Sequence, residues 1–177
     1  IKSALAQTYH PVEIVVVDDG STDNTVRVAE SFGNQIRILR QSNAGPSAAR
    51  NLGLRESRGE LIAFLDADDR WVTETLALQW QILSLQPNVC LVHTDVHHFD
   101  LQSEKPWNLD VGRRKFVGNC TALLLQENRI LTSSVVLRRE YLDRIGYFDV
   151  RFKGVEDYDL WLRLSSCCEF AYLDQPL

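Results

Sequence analysis

Leu61-Ile62-Ala63-Phe64-Leu65-Asp66-Ala67-Asp68-Asp69 runs five apolar residues straight into three carboxylates. A short apolar run without polar alternation is the pattern of a strand buried on both faces, as in the sheet of an α/β protein. Ligands of such sheets bind along the carboxyl edge of the strands, the edge at which Asp66, Asp68 and Asp69 fall. Carboxylates crowded together raise one another's pKa and favour a divalent cation, and hard ions such as Mg²⁺ or Mn²⁺ take oxygen ligands. The stretch predicts a cation-binding strand end. The plainer alternative is a solvated acidic loop that caps the helix after Trp71.

A second acidic turn points to the same edge. Glu13-Ile14-Val15-Val16-Val17 is rich in β-branched residues and leads into Asp18-Asp19-Gly20-Ser21. That turn reads either as an ordinary strand-to-helix connection or as a place where Asp18 or Asp19 accepts a hydrogen bond from a base or sugar. Asn43-Ala44-Gly45, ahead of Arg50, has a matching pair of readings: a loop with a surface arginine, or a polar cradle whose guanidinium faces a diphosphate. Glu156-Asp157 opens a helix, where one carboxylate offsets the helix dipole and the other is spare for general-base work. The pair His97-His98 has no metal-ligand spacing.

Working outward, strand-like and helix-like stretches alternate, which predicts an α/β layer with a largely parallel sheet. Strands are expected at Glu13–Val17, Ile36–Leu39, Leu61–Leu65, Val89–His93, Ser134–Leu137 and Phe170–Leu173. Helices are expected after Ser21, from Pro46 or Ser47, across Leu76, Trp80 and Leu83 as far as Pro87, and over Arg139–Ile145 and Glu156–Leu164. The stretch Asp95–Asn119 is polar and unassigned, and long loops of this kind often shape pockets.

The 177 residues suit one domain with a full core, 45% hydrophobic and 24% charged. No apolar run is long enough to span a bilayer. A net charge of −5 argues against nucleic-acid binding, which needs a basic face. The four cysteines have no paired-ligand spacing and read as reduced, buried thiols of a cytosolic protein. The chain has no methionine and opens on a helix-like segment, so it reads as a fragment lacking an earlier strand.

Taken together, Val17-Asp18-Asp19-Gly20-Ser21-Thr22-Asp23, Asn43 through Gly53, Phe64-Leu65-Asp66-Ala67-Asp68-Asp69 and Glu156-Asp157-Tyr158-Asp159-Leu160-Trp161 resemble the family 2 glycosyltransferases in order and approximate spacing. The likeness covers nearly the whole chain from Ser3 and is loosest between Asp95 and Leu131. It implies a three-layer αβα sandwich with a mostly parallel central sheet, of the nucleotide-diphospho-sugar transferase type. It further implies an inverting enzyme that moves a sugar from a nucleotide-diphosphate donor, expected to be a UDP-sugar, to a saccharide or lipid-linked acceptor in cell-surface or extracellular polysaccharide synthesis. By the same resemblance, Asp18 or Asp19 contacts the uracil or ribose, Asn43 and Arg50 lie on the nucleotide side, and Asp68 is the main ligand of Mn²⁺ or Mg²⁺. Asp66 lies between ribose and metal, and Asp157 is the catalytic base. A cytoplasmic location follows, with peripheral association at the inner membrane face if the acceptor is a lipid. Two other classes fit some of the pattern: a phosphoacceptor receiver, which needs a lysine at a late strand end where the late segment here offers Glu156-Asp157, and a noncatalytic sugar- or nucleotide-binding module.

Overall fold

The computed structural model describes residues 1–99, 106–107 and 115–177. Helix α1 (Lys2–Leu5) precedes β1 (Val15–Asp18), α2 (Thr25–Glu30) and β2 (Arg37–Arg40), and β1 pairs with β2 in parallel. Next come α3 (Pro46–Glu56), β3 (Leu61–Ala63), α4 (Thr75–Leu85) and β4 (Val89–Asp95). A small pair, β5 (His98–Phe99) with β6 (Pro106–Trp107), is followed by α5 (Thr121–Leu124), β7 (Val136–Arg138), α6 (Arg139–Ile145), α7 (Glu156–Ser165) and β8 (Glu169–Pro176). The larger sheet has the order β3-β7-β4-β8.

Side-chain alternation along these strands builds a core on each face of that sheet. Ile62, Leu91, Leu137 and Phe170 join Leu54, Leu124, Leu142, Leu160, Trp161 and Leu164, so α3, α5, α6 and α7 cover one side. Their neighbours Leu61, Val92, Val136 and Ala171 pack with Leu76 and Leu83 of α4 on the other. Because adjacent strand residues point to opposite faces, this is the expected three-layer αβα arrangement.

The sheets are mixed. Parallel pairing holds for β1–β2 and β4–β8, whereas β7 runs antiparallel to both β3 and β4. The reversal follows from where the chain crosses the sheet boundary: it leaves β4 at the carboxyl edge and enters β7 from that same edge. It also has a functional consequence, since the residues just before β7 are delivered to the edge where β3 ends. The expectation that the polar stretch from Asp95 to Asn119 shapes a pocket falls largely outside the described residues.

Two local expectations are corrected. Cys90 and Cys168 form a disulfide, where four reduced thiols were expected; the parallel pairing of β4 with β8 brings their Cα atoms to 5.8 Å. Cys120 stays a buried thiol, its pKa pushed up to about 11 by burial, and Cys167 is exposed. On α4, Trp80 does not enter the core with Leu76 and Leu83 but lies 42% exposed against Tyr9. The inward position belongs instead to Gln79, whose amide donates to the carbonyls of Val92 (3.3 Å) and Ser134 (2.7 Å). Its period is helical, but its polarity disguises it in the sequence.

Candidate active site

Asp18 ends β1 and closes the following turn. Its Oδ1 accepts from the Ser21 amide at 3.1 Å, and Arg40 lies 3.6 Å from its Oδ2. The Ser21 hydrogen bond, aided by Arg40, holds the carboxyl below the usual aspartate range against a smaller opposing effect of burial. Asp19 organises the next loop. It accepts from Gln41 Nε2 (2.7 Å) and from the amides of Ala44 (2.9 Å) and Gly45 (2.8 Å). Burial works to raise its pKa, but those three donors together outweigh it and hold the carboxyl low. An open depression of about 350 Å³ lies here, lined by Asp19, Gly20, Ser21, Thr22, Asp23 and Asn43. Gly20 is required at its wall: its φ is +79°, and a Cβ would sit 2.9 Å from the Asn43 nitrogen.

The loop runs through Gly45 into α3, with Pro46 in the first turn. On that helix Arg50 donates from Nη2 to Asp66 Oδ1 at 2.8 Å and from Nη1 to Glu156 Oε1 at 3.1 Å. Its guanidinium lies 5.5 Å from the centre of the Phe148 ring. The next residue, Asn51, fixes that ring by exchanging hydrogen bonds with the Phe148 backbone, accepting from its amide (2.9 Å) and donating to its carbonyl (2.7 Å). A segment after β3 and the first turn of α7 therefore meet at one arginine on α3.

A second bridge comes from the short 3₁₀ turn Thr132–Ser134, just before β7. The Asp66 amide donates to Ser133 Oγ at 3.0 Å, while Thr132 Oγ1 donates to Asp157 Oδ2 at 3.4 Å. Antiparallel pairing of Ala63 with Val136 puts these residues opposite the end of β3. Asp157 also accepts from the Tyr158 amide (2.7 Å). Burial pushes its pKa above the ordinary carboxylate value, reinforced by Glu156 and opposed by the Tyr158 amide and Arg50. Glu156 is held by Arg50 and by the Gly154 amide (2.7 Å), so Asp157 is the less committed of the two.

The residues singled out in the sequence thus fall into two groups. Asp19 and Asn43 line the depression after β1, while Asp18 is buried beside it and is not part of its lining. Arg50, Asp66 and Asp157 converge at the carboxyl edge of the larger sheet, with Asp68 exposed two residues beyond Asp66. Crowding of Asp66, Asp68 and Asp69 into one cation cage is not found: among the described residues no group of three His, Cys, Asp or Glu side chains is placed to hold an ion. Instead the Asp69 amide donates to the Asp66 carbonyl in a turn, and Arg50 takes up an Asp66 oxygen. An exposed Asp68 with a 42% exposed Asp66 still fits a hard ion that shares its shell with a ligand's phosphates and waters, the usual manner for Mg²⁺. Phe148, Thr132 and Ser133 lie in none of the motifs, and Asn51 and Glu156 lie in motifs that do not assign these contacts, which tertiary packing alone makes.

A family model, glycosyl transferase family 2, matches residues 1–146, and the chain belongs to that family. An uncharacterized glycosyltransferase of Rickettsia felis is 34% identical over 172 residues, covering 93% of this chain and 28% of that protein. The structure is similar to that of Staphylococcus aureus TarS 1–349 in complex with UDP, with a TM-score of 0.71 at 23% identity over 97% of this chain and 55% of that one. It is also similar to the mannosyltransferase PcManGT of Pyrobaculum calidifontis in complex with GDP-Man and Mn²⁺, with a TM-score of 0.72 at 22% identity over 98% of this chain and 49% of that one. The chain therefore spans about half or less of each of these proteins. The fold is that of the A-type glycosyltransferases. The receiver reading gives way to this match.

Proposed function

We propose that this domain carries out metal-assisted, inverting transfer of a sugar from a UDP-sugar to a saccharide or lipid-linked acceptor hydroxyl, in polysaccharide synthesis. The observation that carries the reading is the meeting of Asp66 with the Glu156-Asp157 turn through Arg50 and through Thr132–Ser133. The depression beside Asp19 and Asn43 supports a nucleotide pocket there, and relatives of the same fold bind UDP and GDP-Man with Mn²⁺. Asp18, Asp19 and Asn43 then serve the nucleotide, with Asp19 shaping the loop and Arg50 lying behind the donor carboxylates. Asp68, with Asp66, would hold a Mn²⁺ or Mg²⁺ ion, which supplies charge stabilisation for the departing diphosphate.

Asp157 takes the proton of the acceptor hydroxyl as that oxygen attacks the anomeric carbon opposite the nucleotide. Its raised proton affinity suits this step, because a base is most effective when its pKa approaches the working pH. Burial of Asp157 beside Glu156 supplies that rise. Among the described residues no helix is long and apolar enough to cross a membrane. We propose a cytoplasmic location, at the inner membrane face where the acceptor is lipid-linked, on the family resemblance alone, since the Cys90–Cys168 disulfide removes the reduced-thiol argument for that compartment.

The test compares Asp68→Asn with Asp157→Asn on the full-length protein. Asp68→Asn is expected to weaken Mn²⁺-dependent thermal stabilisation by UDP together with transfer. Asp157→Asn is expected to keep that stabilisation and lose transfer. The reverse pattern sinks the assignments, and retained transfer in both variants sinks the mechanism.

A further inference from the structure

Arg50 is committed to partners within the protein. Its two terminal nitrogens serve Asp66 and Glu156, Phe148 lies under its plane, and its side chain is only 17% exposed. We infer that Arg50 is the positioning residue of this site, its guanidinium locking the aspartate after β3 to the first turn of α7 and so setting Asp157 against the donor side. The inference rests on the proposed transferase reading and deepens it.

Three features argue for positioning in place of direct phosphate binding. The partners lie 16 and 106 residues away, on elements whose relative placement the reaction depends on. A planar fork can serve two carboxylates at fixed angles, whereas an ammonium is a point charge. The side chain of Glu156 is only 10% exposed, so Arg50 also supplies the counter-charge that its burial requires. One cation against Asp66 and Glu156 leaves the cluster net negative, which keeps the edge attractive to a divalent ion.

Arg50→Lys, Arg50→Gln and Arg50→Gln/Glu156→Gln separate positioning from simple neutralisation. Arg50→Gln should melt lower, since it orphans Glu156, and adding Glu156→Gln should recover the melting midpoint while transfer stays depressed. Arg50→Lys should lose about 10- to 100-fold in kcat with donor KM little changed, as expected of misplacement by a fraction of an ångström to an ångström. Recovery of transfer in the double variant, wild-type kcat in Arg50→Lys, or a loss carried by donor KM would each overturn the inference. A substrate-free measurement separates this from failure of the transferase reading. Asp66→Asn and Glu156→Gln should be non-additive in melting when Arg50 is present and additive in the Arg50→Gln background. Additivity in both backgrounds rejects the lock whether or not a donor is ever found, and a wild-type protein inactive with every nucleotide sugar rejects the transferase reading alone.

Discussion

Asp157→Asn separates chemistry from folding. The substitution keeps side-chain volume, and both existing contacts survive it: the amide oxygen still accepts from the Tyr158 amide, and the amide nitrogen can donate to Thr132 Oγ1, which becomes the acceptor. Neither of these two hydrogen bonds is lost. Loss of a general base costs about 10²- to 10⁴-fold in rate, or about 3–5.5 kcal/mol of barrier. Stability moves the other way. The folded chain holds this carboxyl at a pKa above the ordinary 3.8, so at neutral pH it buries a charge that the unfolded chain hydrates freely. Asparagine removes that penalty, and its melting midpoint should equal or exceed wild type at neutral pH. As pH falls through the raised pKa the wild-type carboxyl protonates, and the difference should close toward 3.8. Sugar transfer at saturating donor and acceptor, with thermal melts from acid to neutral pH, reads both effects. A variant that keeps more than about a tenth of wild-type kcat, or that melts clearly lower at neutral pH, refutes the reasoning.

Other outcomes follow from single side chains. His93 is buried in β4, Nε2 3.0 Å from the Phe116 carbonyl, and burial depresses its pKa from 6.5 to about 4. The unfolded chain therefore binds the proton first, and stability should fall as pH drops from 6.5 through about 4, by up to roughly 3 kcal/mol. His93→Gln should flatten that part of the urea-denaturation profile, and an unchanged slope contradicts the assignment. Gly20→Ala forces a positive φ and a 2.9 Å approach to Asn43, so it should cost about 1–3 kcal/mol and weaken UDP binding more than Gly33→Ala, where no atom lies within 4 Å of the added Cβ. Equal UDP affinity in the two variants would count against a nucleotide pocket beside Gly20. Gln79→Ala leaves the carbonyls of Val92 and Ser134 without their donor in the core, and chemical denaturation should show a loss of about 2–5 kcal/mol.

Much of the fold was legible because its signals are local. The expected helix Arg139–Ile145 is found with those same bounds, and Pro46 opens α3 as its fixed φ favours. The runs at Val15, Leu61 and Val89 are strands because continuous apolar character leaves few alternatives when both faces are covered. The antiparallel direction of β7 was not legible, since pairing direction depends on where the chain re-enters the sheet. Thr132 and Ser133 were hidden with it. The Cys90–Cys168 bond escaped for the same reason: spacing in sequence says nothing about two residues that strand pairing places 5.8 Å apart.

The candidate site divides in the same way. Residue chemistry offered Asp18, Asp19, Asn43, Arg50, Asp66, Asp68 and Asp157 as candidates beside plainer readings as turns, loops and helix caps, and the family resemblance chose between the two. Only the folded chain decided what each one touches. It turned Asp19 inward to gather Gln41, Ala44 and Gly45, left Asp68 exposed, and spent Arg50 on Asp66 and Glu156. Residue type determines which charges a chain carries, but partners for those charges come from elements as far apart as 106 residues, and their meeting is settled by packing.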